Sequence, residues 1–143
     1  MKSSTLFASL SVAVLGMGSA HAATLTFTVQ NKITTSDIIN TFTNTCTPII
    51  PSLGTVLAGT TSGMHQLNCG TSTAVGFRYA SGTKTCTFNL SSIYTPANPF
   101  LGTSEYWTPS GTATSNGSTL ATCKATLTGI GSSGSYTWAL SMQ

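Results

Sequence analysis

The sequence predicts an all-β fold, an antiparallel β-sandwich held by two disulfides, and three observations carry that prediction. Apolar and polar residues alternate with a period of two in one short segment after another, the pattern of a strand with one face in a core and the other in water. Turns rich in Gly, Ser, Thr and Asn separate these segments at close intervals. Four cysteines, Cys46, Cys69, Cys86 and Cys123, are distributed among them. An immunoglobulin-like arrangement is one form such a sandwich takes, and a small closed β-barrel is the competing architecture.

Residues 1–22 stand apart from this pattern. A basic start at Lys2, an apolar run over 6–15 and the A-x-A-like site Ala20-His21-Ala22 predict a secretory signal peptide cleaved after Ala22. The run is too short to span a bilayer as a helix, and no later segment approaches the length required. The expected product is one exported β domain over 23–143. The brevity of the signal suggests a bacterial protein, placed in a periplasm, at the cell surface or outside the cell.

Beyond residue 22 the charged residues are Lys32, Arg78, Lys84 and Lys124 against Asp37 and Glu105. Charge this sparse does not supply the phosphate contacts that nucleic-acid binding needs, so that class of partner is set aside. About a third of the residues are Ser or Thr, interleaved with Phe, Tyr and Trp, which distinguishes the chain from a charged, aromatic-poor disordered segment. Cysteines in even number in a small exported chain predict disulfides, because the oxidising side of a membrane favours them. Long gaps between the cysteines, with His65 the one histidine after the signal, argue against a metal site. Three pairings are open. Cys86 and Cys123 each lie mid-strand on an apolar face, which favours Cys86–Cys123 and leaves Cys46–Cys69 to close the earlier loop.

In order along the chain, residues 24–29 alternate cleanly, with Leu25, Phe27 and Val29 opposite Thr24, Thr26 and Thr28. Threonine suits the wet face because its branched carbon favours extended backbone while its hydroxyl meets water. Residues 33–42 read as mostly extended. Pro48 and Pro51 bracket Ile49-Ile50 and suit a sheet edge, since proline cannot donate to a central ladder. Residues 53–63 read as loop with one short strand at 55–58, and 64–69 as a strand facing His65, Leu67 and Cys69 one way. Val75, Phe77 and Tyr79 share a face in the next strand. Ser81-Gly82 then turns the chain back into 84–90, where Cys86, Phe88 and Leu90 share a face.

Residues 92–111 break the rhythm. Pro96, Pro99 and Pro109 argue against a regular central strand, so the segment reads as a long loop carrying Tyr94, Phe100, Tyr106 and Trp107. Residues 111–118 read as a flexible turn-rich loop with Asn116-Gly117 as its tight pair. Strands resume at 120–127, with Cys123 and Leu127 on one face, and at 136–142, with Tyr136, Trp138, Leu140 and Met142 on one face. About seven strands result, with a core expected from Phe27, Phe77, Phe88, Leu90, Leu127, Trp138 and Leu140.

Catalytic signals are thin. A hydrolytic triad would have to draw on His65 and on Asp37 or Glu105, and no G-x-S-x-G places a serine. Asp37 and Glu105 are the one pair of carboxyls after the signal, and neither sits in a glycosidase-like motif. No metal or cofactor is expected, and the reading is non-enzymatic. Binding is the favoured class: Tyr94, Phe100, Tyr106 and Trp107 combine contact area with polar tips and suit a carbohydrate, a lipid surface or a protein. A small secreted toxin or inhibitor stands as a further alternative. Asn89-Leu90-Ser91 and Asn116-Gly117-Ser118 match glycan-acceptor patterns and are read as chance matches in a bacterial chain.

An uncharged, Thr-rich chain whose alternating strand Leu25, Phe27, Val29 follows directly on a cleavage site resembles bacterial surface-fibre subunits. That resemblance covers about ten residues and the composition. It implies an immunoglobulin-like sandwich that self-associates by pairing its N-terminal strand with a neighbour, Leu25, Phe27 and Val29 filling pockets. Four cysteines rather than one pair depart from the simplest form of that pattern.

Overall fold

A computed structural model describes residues 22–143. The expected signal segment lies outside the described residues except for Ala22. Among the described residues there are nine strands: β1 (Thr24–Asn31), β2 (Ile38–Thr45), β3 (Thr55–Val56), β4 (His65–Asn68), β5 (Thr73–Ser81), β6 (Lys84–Thr95), β7 (Tyr106–Ser115), β8 (Cys123–Ile130) and β9 (Tyr136–Met142). They form a four-stranded sheet in the order β4-β1-β9-β8 and a five-stranded sheet in the order β3-β2-β5-β6-β7. The two sheets pack face to face as a β-sandwich, as the alternation requires.

The inward faces follow the sequence pattern. Leu25, Phe27 and Val29 of β1, Val75, Phe77 and Tyr79 of β5, Cys86, Phe88 and Leu90 of β6, and Trp138, Leu140 and Met142 of β9 are buried. Phe77 is the hub: its ring stacks on Phe27 across the sheets at 5.0 Å and meets Phe88 at 5.6 Å and Tyr79 at 6.1 Å. Leu127, expected in the core, packs only partly buried against it, on the edge strand β8.

Both disulfides join one sheet to the other. Cys86 of β6 bonds Cys123 at the start of β8, with Cα atoms 5.7 Å apart. Cys46, just past β2, bonds Cys69, just past β4, with Cα atoms 5.8 Å apart. The loops they close span 37 and 23 residues. By the loop-entropy argument these links stabilise by about 4 and about 3 kcal/mol, large amounts for a domain of this size.

Four expectations are corrected. First, the sandwich is not wholly antiparallel: β1 runs parallel to β9, with Phe27 opposite Trp138 and Val29 opposite Leu140. Second, residues 92–111 are not one long loop. β6 runs on to Thr95 and β7 begins at Tyr106, so the two form a hairpin with Tyr94 opposite Trp107. Pro109 is tolerated because β7 is the edge of its sheet, where a missing N–H donor interrupts no further ladder. Third, residues 111–115 belong to β7 rather than to a flexible loop, and Asn116-Gly117 lie past its end. Fourth, the hairpin between β5 and β6 turns on Gly82-Thr83, because Ser81 already pairs with Lys84. Gly82 has φ of 56°, the left-handed conformation that the first loop position of such a turn demands.

Candidate functional site

The four aromatic residues singled out in the sequence sit near one end of the β6–β7 hairpin, but the strand alternation sends them to different surfaces. Tyr94 and Trp107 face inward as a cross-strand pair, with ring centroids 5.0 Å apart at 52°. Trp107 is held on three sides. Its Nε1 donates to the Thr71 carbonyl at 2.9 Å, its own carbonyl accepts from the Tyr136 hydroxyl at 3.0 Å, and its ring lies where a Cβ on Gly134 would be. Half-buried and bonded in this way, Trp107 anchors the hairpin to the β8–β9 turn.

Tyr94 is tied from both ends. Its backbone N–H donates to Ser72 Oγ at 2.8 Å, and its hydroxyl donates to Glu105 Oε2 at 2.7 Å. That bond to the carboxylate raises the phenol's pKa, with burial and the carboxylate's negative charge acting in the same direction.

Beyond this anchor the hairpin projects as a compact turn. Asn98 and Thr103 exchange two backbone hydrogen bonds, at 3.0 and 3.1 Å. The Asn98 side chain accepts from the N–H groups of Phe100 and Leu101, at 3.0 and 3.3 Å, closing an Asx-type turn. The turn presents Phe100, 98% exposed, and Leu101, 74% exposed, at its apex. Tyr106, on the outer face of β7, is 53% exposed. Pro96, Pro99 and Tyr106 line a shallow hollow of about 580 Å³ behind the apex.

Leu101 and Asn98 were not singled out by the sequence reading. The signal for both was available in the run Asn98-Pro99-Phe100-Leu101-Gly102: Asn-Pro opens turns, and a Gly directly after two large apolar residues places those residues at a bend. Gly102 has φ of 65°.

The other candidate residues are dispersed. Leu25, Phe27 and Val29 are fully enclosed in their own sheet, β1 lying between β4 and β9 with ladder partners on both sides. His65 is buried with its ring 5.4 Å from Phe27, and its Nδ1 lies 2.8 Å from the Pro51 carbonyl. Asp37 accepts from the Ala58 N–H at 2.8 Å, while Glu105 is engaged by Tyr94. Among the described residues no group of three or more His, Cys, Asp or Glu side chains is placed to hold a metal ion. No helix among them is long and apolar enough to cross a membrane. Compared with protein-family models, with curated proteins and with solved structures, the chain matches none of them.

Proposed function

We propose that the chain is an exported, non-enzymatic binding module that meets its partner with the free end of the β6–β7 hairpin. One observation carries this reading: an apolar pair, Phe100 and Leu101, is held in the open by a turn with its own hydrogen bonds. A loose loop would fold such residues back onto the domain. Here Asn98 fixes the turn and Trp107 fixes its base, so contact loses little conformational entropy. Covering a Phe and a Leu side chain contributes roughly 1.5–3 kcal/mol each, enough to make this end an anchor in the apolar pocket of a partner protein or in a lipid surface.

Export is supported by two disulfides that both cross between sheets, a construction that persists in an oxidising compartment. Separate local bonds of His65, Asp37 and Glu105 support a role without catalysis. Enclosure of β1 within its own sheet supports a self-contained domain over a subunit that lends its first strand.

The reading is tested by placing a photo-crosslinking residue at Phe100 and, separately, at Thr126, an exposed position on β8, in cells that export the protein. Adducts formed from position 100 and absent from position 126 are expected. Equal labelling from both positions, or none from 100, contradicts a partner at the hairpin end.

A further inference from the structure

The outer face of the five-stranded sheet carries a feature separate from the hairpin end. Ladder pairing sets Asn44, Gly76, Asn89 and Thr112 in one row across β2, β5, β6 and β7. The neighbouring row holds Ala74, Ser91 and Ser110. Small side chains in both rows leave a trough of about 480 Å³ running across the strands. Adjacent strands lie about 4.8 Å apart, so four of them give the trough a length near ~15 Å, the span of about three linked sugar rings.

The rows on either side stand higher. On one, Phe42 pairs with Arg78, whose guanidinium carbon lies 5.9 Å from the Phe42 ring centroid and whose Nε donates to Thr87 Oγ1 at 3.3 Å. On the other side Ile93 stands next along β6, followed by Tyr106 on β7.

The floor has a definite chemistry. Asn31, Asn40, Asn68 and Asn98 each use their side-chain amides on the chain's own backbone. Among the described residues the amides of Asn44, Asn89 and Asn116 have no such partner and face solvent, and the first two stand on this floor. The Asn89 amide lies along the floor, its Oδ1 2.8 Å from where a Cβ on Gly76 would stand, so the absence of a side chain at 76 makes room for it. Each amide offers both donors and an acceptor, and Ser and Thr hydroxyls surround them. No ionised group lies on the floor. A cationic ligand would find no counter-charge there, an anionic one only Arg78 in the adjoining row, which is turned to Phe42 and Thr87, and an apolar one would strip water from the exposed amides without replacing it. A neutral, hydroxyl-rich ligand returns each of those hydrogen bonds, and the Phe42 ring in the adjoining row suits the apolar face of a sugar ring.

We propose that this trough binds a neutral oligosaccharide laid across the strands. The test is an amide-resolved NMR titration of the oxidised protein with cellohexaose, maltohexaose and N-acetylated chitohexaose in turn. At least one is expected to shift the backbone signal of Gly76 and the side-chain amide signals of Asn44 and Asn89. Asn89→Ala, a change on the wet face that leaves the core intact, should weaken that binding about tenfold. Gly76→Val, which fills the floor, should abolish it, while Thr126→Ala leaves it unchanged. The proposal is overturned if none of the three sugars moves these signals, or if binding survives both Asn89→Ala and Gly76→Val. It is equally overturned if the signals respond to protein concentration alone, since a second copy of the chain then covers the face.

Discussion

Tyr79 is the largest side chain fully enclosed in the core, and burial pushes its phenol up to about 12, with the neighbouring Gly54 backbone opposing the shift. The folded protein therefore holds this proton more tightly than the unfolded chain, whose phenol titrates near ~10. Its contribution to stability is fully present below about pH 10 and is lost as pH rises from there through about 12. Urea unfolding of the wild type should lose about 2–3 kcal/mol more than Tyr79→Phe over that interval. Parallel curves for the two proteins would contradict the burial of the hydroxyl. A second residue-scale prediction concerns Gly134, buried beneath the Trp107 ring with φ of 75°. Gly134→Ala should destabilise by about 2 kcal/mol, from overpacking and backbone strain together. Gly54, which has open space around it, should accept Ala within about 0.5 kcal/mol in the same measurement. Burial of Phe77, Phe88 and Trp138 was legible from alternation alone. Placement of Trp107 was not, because its environment is made by Gly134 and Thr71, both distant in sequence and brought near only by the packing of the sheets.

Among the elements, the hairpin of β6 and β7 shows where local reading stops. Its strands were legible up to Leu90, where apolar and polar residues alternate, and illegible from Ser92 onward, where prolines and small residues replace the apolar ones. Those residues mark the rim of the sandwich and an edge strand, positions that ask less of the side chains than a central strand does. Recognising 106–115 as a strand also resolves the adjacent pair Tyr106-Trp107: consecutive strand residues face opposite ways, so one anchors and the other is exposed. Because the projecting turn carries its own hydrogen bonds and buries nothing of the core, it is expected to be dispensable for folding. Replacing residues 98–103 by Asn-Gly, which keeps the β6–β7 register of Thr95 with Tyr106, should leave the unfolding free energy in urea within about 0.5 kcal/mol of wild type and lose the partner that crosslinks to position 100 of the intact protein. Loss of stability well beyond that would mean the turn supports the sandwich rather than projecting from it.

For the molecule as a whole, fold class was readable because strand period is a signal confined to a few residues, whereas three disulfide pairings stayed open and the apolar face shared by Cys86 and Cys123 only favoured the one observed. Sheet order was not readable. The parallel pairing of β1 with β9 joins the two ends of the described chain, and nothing in the residues 24–31 specifies whether their ladder partner lies in their own molecule or in another. On that point a self-contained binding module and a strand-exchanging subunit part company, and the enclosed side chains of Leu25, Phe27 and Val29 favour the first. The most direct measurement is the solution mass, by light scattering, of the oxidised protein beside a form lacking residues 23–31. The account predicts a monomer for the intact protein and failure to fold for the truncated one, since β4 loses its strand partner, β9 loses one of its two, and the core loses Leu25, Phe27 and Val29. A polymeric intact protein, with a truncated form that is a soluble monomer and takes up a peptide copy of residues 23–31, would contradict it.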